Sequence, residues 1–323
     1  MALAAPTGKA AARAAGVYVG GWEDEDGTFH YLRHNGPEHI LTFAPTRSGK
    51  GVGLVIPTLL SWKHSAVITD LKGELWALTA GWRQQHAGNR VLRFEPATAN
   101  GCVGWNPLEE IRLGTEFEVG DVQNLATLIV DPDGKGLNDH WQKTSQAMLV
   151  GCILHLCYRS QDEGGVASLP ALDAMLADPS RPISELWAEM THYGHLDGEN
   201  HPLVGSAARD MLDRPAEEAG SVLSTAKSYL SLFRDPIVAR NVSRSEFKIR
   251  DLMNHDDPVS LFITQDRQGV GARIPGMNNQ RFVKRPRQMD MFGKIVLLAR
   301  FALSSVEIIK AGLTNGHHLR ITG

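Results

Sequence analysis

The stretch TFAPTRSGKGVG, Thr42 to Gly53, decides the fold class of this chain. It has the spacing of the GxxxxGK motif, with Ala44 at the first glycine position and Gly49 and Lys50 at the last two. An apolar run precedes it, and a segment with helical spacing follows it. Such loops bind phosphate because their backbone N–H groups point inward and the helix N-terminus adds positive charge. The sequence therefore predicts a phosphate-binding loop, and the alternative is a glycine-rich turn without a ligand.

The predicted ligand of this loop is a nucleoside triphosphate with Mg²⁺. The predicted nucleotide-binding residues are Pro45, Thr46, Arg47, Ser48, Gly49, Lys50, Gly51, Val52 and Asp70. Lys50 is also the predicted catalytic residue, because the lysine of this motif reaches the β- and γ-phosphates. Arg47 is expected either to contact a phosphate or to act across a subunit interface.

The metal ligands are harder to assign than the phosphate ligands. Gly51 stands where the motif normally has a Ser or Thr whose hydroxyl ligates Mg²⁺, so water or another side chain has to take that place. Asp70 ends the apolar run AVITD, and acidic residues at strand ends face ligand crevices in α/β sheets. Asp70 is therefore the candidate metal residue, and a helix N-cap is the alternative role.

Apolar runs around the loop predict an α/β fold with a mostly parallel sheet. Residues 16–35 alternate as a β-hairpin, and further strands are predicted at His39–Pro45, Ser65–Asp70 and Arg90–Pro96. Segments with helical spacing separate these strands, and Pro57 is expected to kink or shorten the first of them. The order strand–helix–strand–helix–strand is typical of parallel α/β sheets.

The character of the sequence changes near residue 113, where Ala, Leu, Met and Glu become dominant. This pattern predicts an all-α subdomain over residues 113–245, inserted into a P-loop domain whose first part is residues 16–112. Residues 246–265 contain the apolar run VSLFIT and are expected to return to the sheet. Residues 1–15 are interpreted as a disordered tail and residues 266–323 as an atypical basic segment.

Composition excludes several classes of protein. The 323 residues carry a formal net charge of -3, so any nucleic-acid contact has to come from a local basic patch. The 3 cysteines lack paired spacing, which argues against a disulfide framework or a structural zinc site. No stretch reaches the roughly 18 apolar residues of a membrane-spanning helix, and no signal peptide is evident.

Two polar clusters remain as weaker candidates. His192, His195 and His201 lie close to Asp197 and Glu199, which allows a metal site, although a solvated loop is the favoured interpretation. The basic stretch from residue 281 to residue 287 allows contacts with DNA phosphates, but a solvated tail is favoured there.

The motifs beside the loop resemble the TraG-like family of type IV secretion coupling proteins, the conjugative DNA-transfer ATPases. The likeness is carried, in order, by YLRHNGPEHILTFAPTRSGKGVGLVIPTLLSW, AVITDLKGELWALTAGWR, RFEPATANGCVGWNPLEEI, NDHWQKTSQAMLVGCILHLCY and GSVLSTAKSYLSLFRDPIVA. It covers roughly residues 16–265, and the family also tolerates Gly after the P-loop lysine.

The resemblance implies a RecA-like P-loop NTPase with a parallel-rich sheet and an inserted all-α domain. It implies ATP and Mg²⁺ as cofactors, and membership of a hexameric homo-oligomer at the cytoplasmic face of the inner membrane. Single-stranded DNA bound to a relaxase, and the proteins of the secretion channel, are the implied partners. ATP binding and hydrolysis would drive transfer of that DNA.

The chain departs from the family pattern at both ends. Family members usually begin with transmembrane helices, and none is evident here. Family members also carry an apolar strand ending in Asp-Glu, the Walker B element, after the VSLFIT strand. Beyond residue 265 the acids Asp266, Asp290 and Glu307 do not close such a run. We therefore expect an incomplete C-terminal part of the sheet, from truncation or a frame change. The alternative function is a hydrolysis-deficient remnant that binds a nucleotide or a partner.

Overall fold

The chain folds as two units in the computed structural model, which describes residues 16–36, 38–43, 45, 48–70, 72–132 and 134–264. The sheet unit comprises the described residues up to 93 together with residues 250–264. The helical unit comprises residues 94–249, which follow one strand of the sheet unit and precede another. The domain bounds expected at residues 112/113 and 245/246 stay a prediction, as do the interpretations of residues 1–15 and 266–323, which lie outside the described residues.

The elements of the sheet unit follow the predicted alternation of strands and helices. They are β1 (Val17–Glu23), β2 (Phe29–His34), a turn of π-helix (Gly51–Val55), α1 (Ile56–Leu59), β3 (Ala66–Asp70), α2 (Glu74–Gln85) and β4 (Arg90–Phe94). The hairpin β1–β2 is antiparallel, as the alternating pattern predicted. A short helix and a strand, Asp251–Asn254 and Val259–Thr264, close the unit after the helical one.

The last strand of the sheet unit, β5 (Val259–Thr264), is its central strand. The order in the sheet is β3-β5-β4, and β3 pairs with β5 in parallel from Ala66↔Ser260 to Asp70↔Thr264. Every residue of β5 is buried, which explains its continuous apolar run because both faces of a parallel sheet are covered. The core of the unit joins Phe262 of β5 to Leu59, Ile68 and Ala80.

The strand predicted at His39–Pro45 is absent from the described residues of that stretch, and this prediction is wrong there. Residues 39–43 and residue 45 form no regular strand. Ile40, Leu41 and Phe43 are 41%, 65% and 79% exposed. The physical reason is that a strand exists only where a neighbour accepts its backbone hydrogen bonds, and the described three-stranded sheet does not include this segment.

The helical unit confirms the predicted run of helices between β4 and β5. Its helices are α3 (Glu118–Val130), α4 (His140–Glu163), α5 (Leu169–Leu176), α6 (Ile183–His192), α7 (Pro202–Asp213), α8 (Ala216–Leu230) and α9 (Pro236–Asn241). Short 3-10 turns occupy Pro107–Glu110 and Ser231–Arg234. The short helix of the sheet unit, Asp251–Asn254, is α10.

Helix α4 is the centre of the helical unit. It is buried along its middle from Met148 to Tyr158 and contacts α3, α7 and α8. A helix that is apolar on all sides has to be surrounded by others, and the buried free cysteines Cys152 and Cys157 lie in this stretch. Asp139 begins the helix by accepting the N–H of Gln142 at 2.7 Å.

The two ends of the helical unit lie together. The N–H of Trp105 donates to the carbonyl of Asn241 at 2.9 Å, and the Asn241 side chain donates to Pro96 and Thr98 carbonyls. The Trp105 ring stacks on Phe247 with centroids 6.5 Å apart. Trp105, which is buried, therefore packs between the two ends of the helical unit.

Candidate nucleotide-binding site

Gly49 and Lys50 form the transition from the phosphate loop to the helix that follows it. Gly49 has φ +82°, a left-handed conformation that favours glycine. Lys50 has φ −52° and ψ −39° and begins the helix. The N–H of Gly53 donates to the Gly49 carbonyl at 2.7 Å, and the N–H of Ser48 donates to the Pro45 carbonyl at 3.3 Å. The described part of the loop therefore has the glycine turn and the helix start of the motif, although its described residues 39–43 and 45 form no strand directly before it.

The glycines of the loop leave room in front of it. A Cβ added at Gly49, Gly51 or Gly53 would meet no described atom within 4 Å. Backbone N–H groups beside such space are accessible to a phosphate. The same observation shows that a Cβ at Gly51 would not clash with any described atom.

The predicted nucleotide-binding residues of the loop differ in their solvent exposure. Ser48 and Lys50 are exposed, Gly51 is half-buried, and Val52 is 73% exposed. Pro45 is exposed as well. Thr46 and Arg47 lie outside the described residues, so the two roles proposed for Arg47 stay predictions.

The helix after the loop is short, as Pro57 predicted. Gly51–Val55 forms a turn of π-helix, and α1 ends at Leu59. Pro57 lies inside this continuous helical stretch, where it cannot donate the usual backbone hydrogen bond, and the π-helical turn directly precedes it. The hairpin supports this helix, because the N–H of Tyr18 donates to Thr58 Oγ1 at 3.0 Å.

Asp70 is buried at the end of β3 and serves the following helix. Its side chain is 4% exposed, and its Oδ2 accepts the N–H of Trp76 at 2.8 Å. Gly73, with φ +70°, precedes the first residue of α2. The carboxylate therefore binds a first-turn N–H of α2, which is close to the capping role left open by the sequence. A role of Asp70 toward Mg²⁺ stays a prediction.

Two further polar residues, missed by the sequence reasoning, share the strand ends with Asp70. Arg93 Nε donates to Thr264 Oγ1 at 3.1 Å, and Thr264 is the register partner of Asp70. The Arg93 guanidinium also lies 5.8 Å from the centre of the Trp76 ring. Their position as the last polar residues of β4 and β5 was the available signal, because ligands bind at the carboxyl ends of parallel strands.

Arg83 of α2 is a fully buried cation in the sheet unit. Its five N–H groups donate to five oxygen atoms at 2.6–2.9 Å, those of Leu59, Trp62 and His64 carbonyls, Asn89 Oδ1 and Ser260 Oγ. Burial lowers the pKa of Arg83 to about 10, so the guanidinium keeps its charge at neutral pH. The charge complements the C-terminal end of α1, where helix carbonyls point.

Two of the three histidines considered as a metal site, His195 and His201, belong instead to a buried hydrogen-bond chain. His195 and His201 are 5% and 4% exposed, so a solvated loop is wrong for both, whereas His192, Asp197 and Glu199 are exposed. Within the described part of the chain, no group of three or more His, Cys, Asp or Glu side chains is placed to hold a metal ion.

Comparison with known proteins connects this fold to one family. The family model described as Type IV secretory system Conjugative DNA transfer matches residues 5–275. The chain belongs to this family of TraG-like coupling proteins. It is 76% identical over 257 residues to the conjugal transfer protein TraG of Escherichia coli, a match that covers 80% of this chain and 40% of the relative. It is 27% identical over 305 residues to the protein VirD4 of Rhizobium radiobacter, covering 88% and 41%.

A solved coupling protein shares the fold. The plasmid coupling protein TrwB, in complex with ADP and Mg²⁺, superposes with a TM-score of 0.51 at 20% identity, over 80% of this chain and 51% of TrwB. The predicted RecA-like α/β fold of this family member is therefore confirmed. The chain spans about 40% of the length of the curated relatives. The described helices include none with the length and apolarity to cross a bilayer.

Proposed function

We propose that this coupling-family chain binds ATP with Mg²⁺ at Lys50 and couples its hydrolysis to the transfer of relaxase-bound single-stranded DNA. The observation that carries the proposal is the turn at Gly49, which starts a helix at Lys50 beside open space. A phosphate chain in that space would face backbone N–H groups, a helix N-terminus and the lysine ammonium together.

Different residues of the loop would bind different parts of the nucleotide. Lys50 would neutralise charge on the β- and γ-phosphates, while the N–H groups of residues 49–52 bind their oxygens. Mg²⁺ prefers carboxylate and phosphate oxygens and keeps several waters, so a site without a Ser or Thr hydroxyl at Gly51 still fits it. Asp70 is the candidate to orient one of those waters, which would compete with its bond to Trp76 N–H. The cation supplies charge stabilisation for phosphoryl transfer when bound.

The partners and the place of action are part of the same proposal. Single-stranded DNA, a relaxase and the proteins of a type IV secretion channel would be the partners. The working form would be a homo-oligomer, a hexamer, at the cytoplasmic face of the inner membrane. Membership of the conjugative DNA-transfer family supports these assignments.

One observation favours a second candidate, nucleotide binding without turnover. Phosphoryl transfer to water requires an acidic residue that holds Mg²⁺ and positions the attacking water. The acids after residue 265 do not close an apolar run. On this second reading the chain binds nucleotide or a partner but is deficient in hydrolysis.

Nucleotide titration followed by turnover separates the two candidates. The chain is titrated with a fluorescent ATP analogue in the presence and absence of Mg²⁺, beside Lys50→Ala and the exposed control Lys63→Ala. We expect Lys50→Ala to weaken binding by at least about tenfold, since it removes a charge-assisted contact, and Lys63→Ala to bind as the wild type does. Equal affinity in all three proteins would overturn the site.

Steady-state release of phosphate then decides about hydrolysis. Turnover by the wild type well above that of Lys50→Ala supports the ATPase. Binding at Lys50 with turnover equal in the two proteins supports the hydrolysis-deficient alternative.

A further inference from the structure

The β1–β2 hairpin carries a row of exposed aromatic rings that the nucleotide site does not use. Phe29 and Tyr31 are each 57% exposed, and their ring centroids lie 5.1 Å apart at 82°. Half-buried Tyr18 lies edge-on to Tyr31 with centroids 5.8 Å apart, and the Arg33 guanidinium of the same hairpin already lies over the Tyr18 ring, 4.2 Å from its centroid. We call the surface of Tyr18, Phe29 and Tyr31 the aromatic face. Single exposed apolar side chains are common, whereas contiguous apolar surface marks an interaction site.

The rings of the aromatic face are held in place by the hairpin. The register puts Gly21 opposite Tyr31 and Glu23 opposite Phe29, so these side chains lie on one face. The Phe29 ring covers Gly21, because a Cβ at that position would overlap it. One side of the ring therefore rests on backbone while the other is exposed. Rigid aromatic side chains lose little conformational entropy when a partner binds.

The tip of the hairpin is strongly acidic. Four consecutive acids, Glu23 to Asp26, begin at the last residue of β1. The Asp24 carboxylate binds His30 Nε2 at 2.7 Å. Glu23, Glu25 and Asp26 are exposed and form no ion pair with any residue that the structure describes. Their negative charge is therefore available to a partner. We call Glu23–Asp26 the acidic tip.

We propose that the aromatic face and the acidic tip together form a docking surface for an arginine-rich segment of a partner protein. A guanidinium stacks on aromatic rings and binds a carboxylate through two parallel N–H groups. Because Glu23 lies opposite Phe29, one arginine reaches a ring and a carboxylate at the same time. The acidic tip disfavours nucleic acid, whose phosphates it repels.

The position of the hairpin connects this surface to the nucleotide-binding unit. The N–H of Tyr18 donates to Thr58 Oγ1 in α1 at 3.0 Å, so the aromatic face is attached to the helix that follows the phosphate loop. A partner bound to the hairpin would therefore be attached to the sheet unit, which also contains the phosphate loop. The docking surface does not depend on whether the loop binds a nucleotide.

Fluorescence anisotropy with short labelled peptides tests the proposal on the full chain. One peptide alternates arginine with glycine, and a second of equal length alternates lysine with glycine. We expect the arginine peptide to bind about tenfold more tightly than the lysine peptide, since lysine has no planar face to stack. Phe29→Ser and Tyr31→Ser are each expected to remove that preference, and Glu23→Gln to weaken the arginine peptide more than the lysine peptide.

Trp22 provides the matched control. It is 53% exposed but pairs with His30 on the opposite face of the hairpin, so Trp22→Ser is expected to bind both peptides as the wild type does. Circular dichroism confirms folding of each variant, and Phe29→Leu keeps the apolar contact if Phe29→Ser unfolds. Equal affinity for the two peptides overturns the proposal, as does an equal loss in Trp22→Ser. Concentration-dependent self-association that Phe29→Ser abolishes, without peptide binding, also overturns it and assigns the face to a second copy.

Discussion

At the scale of single residues, Arg83 holds together four segments of the sheet unit. Its guanidinium joins the end of α1, the stretch at Trp62 and His64, Asn89 and Ser260 of β5. No carboxylate takes part in these five bonds, so the cation is satisfied by carbonyl, amide and hydroxyl oxygens. Its contribution is therefore to satisfy buried acceptors, each of which is costly to leave without a donor.

Arg83→Met is predicted to lower the free energy of unfolding by about 3 kcal/mol or more, because five buried oxygen atoms lose their donor. Arg83→Lys is expected to recover only part of the loss, since an ammonium has three donors and no planar fork. Urea denaturation measures both. The control is Arg209→Ala, in an exposed ion pair with Asp213, where little change is expected. Wild-type stability in Arg83→Met contradicts this account.

The buried histidine chain fixes the tautomer of each ring. The backbone N–H of His201 donates to His195 Nδ1 at 3.3 Å, so His195 carries its proton on Nε2 and donates this N–H to His155 Nδ1 at 2.9 Å. His155 then donates from Nε2 to Glu189 Oε1 at 3.3 Å. A second proton on His155 would place two N–H groups against each other. The geometry therefore requires neutral rings.

Acidification is predicted to weaken the helical unit between about pH 6.5 and pH 4. Burial lowers the pKa of His155 to about 4, and burial also lowers the pKa of His195. The unfolded chain takes up these protons near pH 6.5 and the folded chain does not, so stability is lost as pH falls through this window. The loss expected for His155 alone is on the order of 3 kcal/mol.

Urea denaturation over a pH series checks this prediction. His155→Gln is expected to be less stable than the wild type at pH 7.5 but to lose less stability on acidification. His192→Gln, at an exposed position of α6, is expected to keep the wild-type pH dependence. Identical pH profiles for the wild type and His155→Gln would falsify the assignment.

Glu118, which is hydrogen-bonded to His201 at the other end of the buried histidine chain, affects stability at lower pH than the histidines do. Burial raises the pKa of Glu118, but hydrogen bonds from Gly114 N–H, Tyr158 and His201 outweigh it and hold that pKa below its usual range. Stability contributed by Glu118 is present above its unfolded pKa and is lost as pH falls below it. The histidine window therefore precedes the carboxylate window on acidification.

At the scale of elements, two helical glycines with different surroundings test how closely α4 and α7 pack. A Cβ on Gly151 of α4 would overlap the Cβ of Ala207 in α7, whereas a Cβ on Gly120 of α3 would meet no described atom within 4 Å. Alanine is intrinsically better than glycine in a helix by about 1 kcal/mol. We therefore expect packing to decide whether alanine raises or lowers stability at Gly151, and helix propensity to decide this at Gly120.

Gly151→Ala is predicted to destabilise the chain by about 1–3 kcal/mol, because overpacking forces two helices apart. Gly120→Ala is predicted to leave stability unchanged or to raise it by up to about 1 kcal/mol. Thermal and urea denaturation of the two variants give the comparison. If both variants are stabilised, the close approach of α4 to α7 is contradicted.

At the scale of the whole molecule, exposed large apolar side chains are concentrated in the sheet unit. Those in the sheet unit are Trp22, Phe29, Tyr31, Ile40, Leu41, Phe43, Val52, Val55, Val67, Leu78 and Met253. Three of them belong to the segment that leads into the phosphate loop and that finds no strand partner among the described residues. Apolar surface of this extent promotes association.

The double variant Leu41→Ser, Phe43→Ser is predicted to reduce concentration-dependent association of the chain without lowering its free energy of unfolding. Both side chains are more than half exposed. Their replacement by serine therefore removes exposed apolar surface and little core packing. Sedimentation velocity over a concentration series measures the effect. Val166→Ser, at a 60% exposed position in the helical unit, is the control and is expected to associate as the wild type does. Unchanged association of the double variant would show that another surface is responsible.

The sequence predicted the elements whose signals are local. It correctly assigned strands β3, β4 and β5 from their apolar runs and the hairpin β1–β2 from its alternating pattern. These signals can be found in the sequence because the periodicity of apolar residues follows the side of a strand that is buried. The helical spacing after the phosphate loop also predicted a helix there, and the structure begins it at Lys50. Motif order alone identified the family that the comparisons confirm.

Non-local pairing was decided only by the tertiary structure. His39–Pro45 has the apolar pattern of a strand, yet a strand requires a neighbour, and pattern alone does not supply one. The roles of His195 and His201 likewise depend on partners distant in sequence and on burial that their polar surroundings concealed.

By itself, then, the sequence determined a phosphate loop in an α/β unit with a helical insertion, and the family to which the chain belongs. The tertiary structure decided that β5 lies between β3 and β4, that Arg83 satisfies five buried acceptors, and that three histidines share one buried chain. The physical reason is the range of the interactions. Turn chemistry and periodicity act over a few residues, whereas strand order and buried polar networks join residues more than a hundred positions apart.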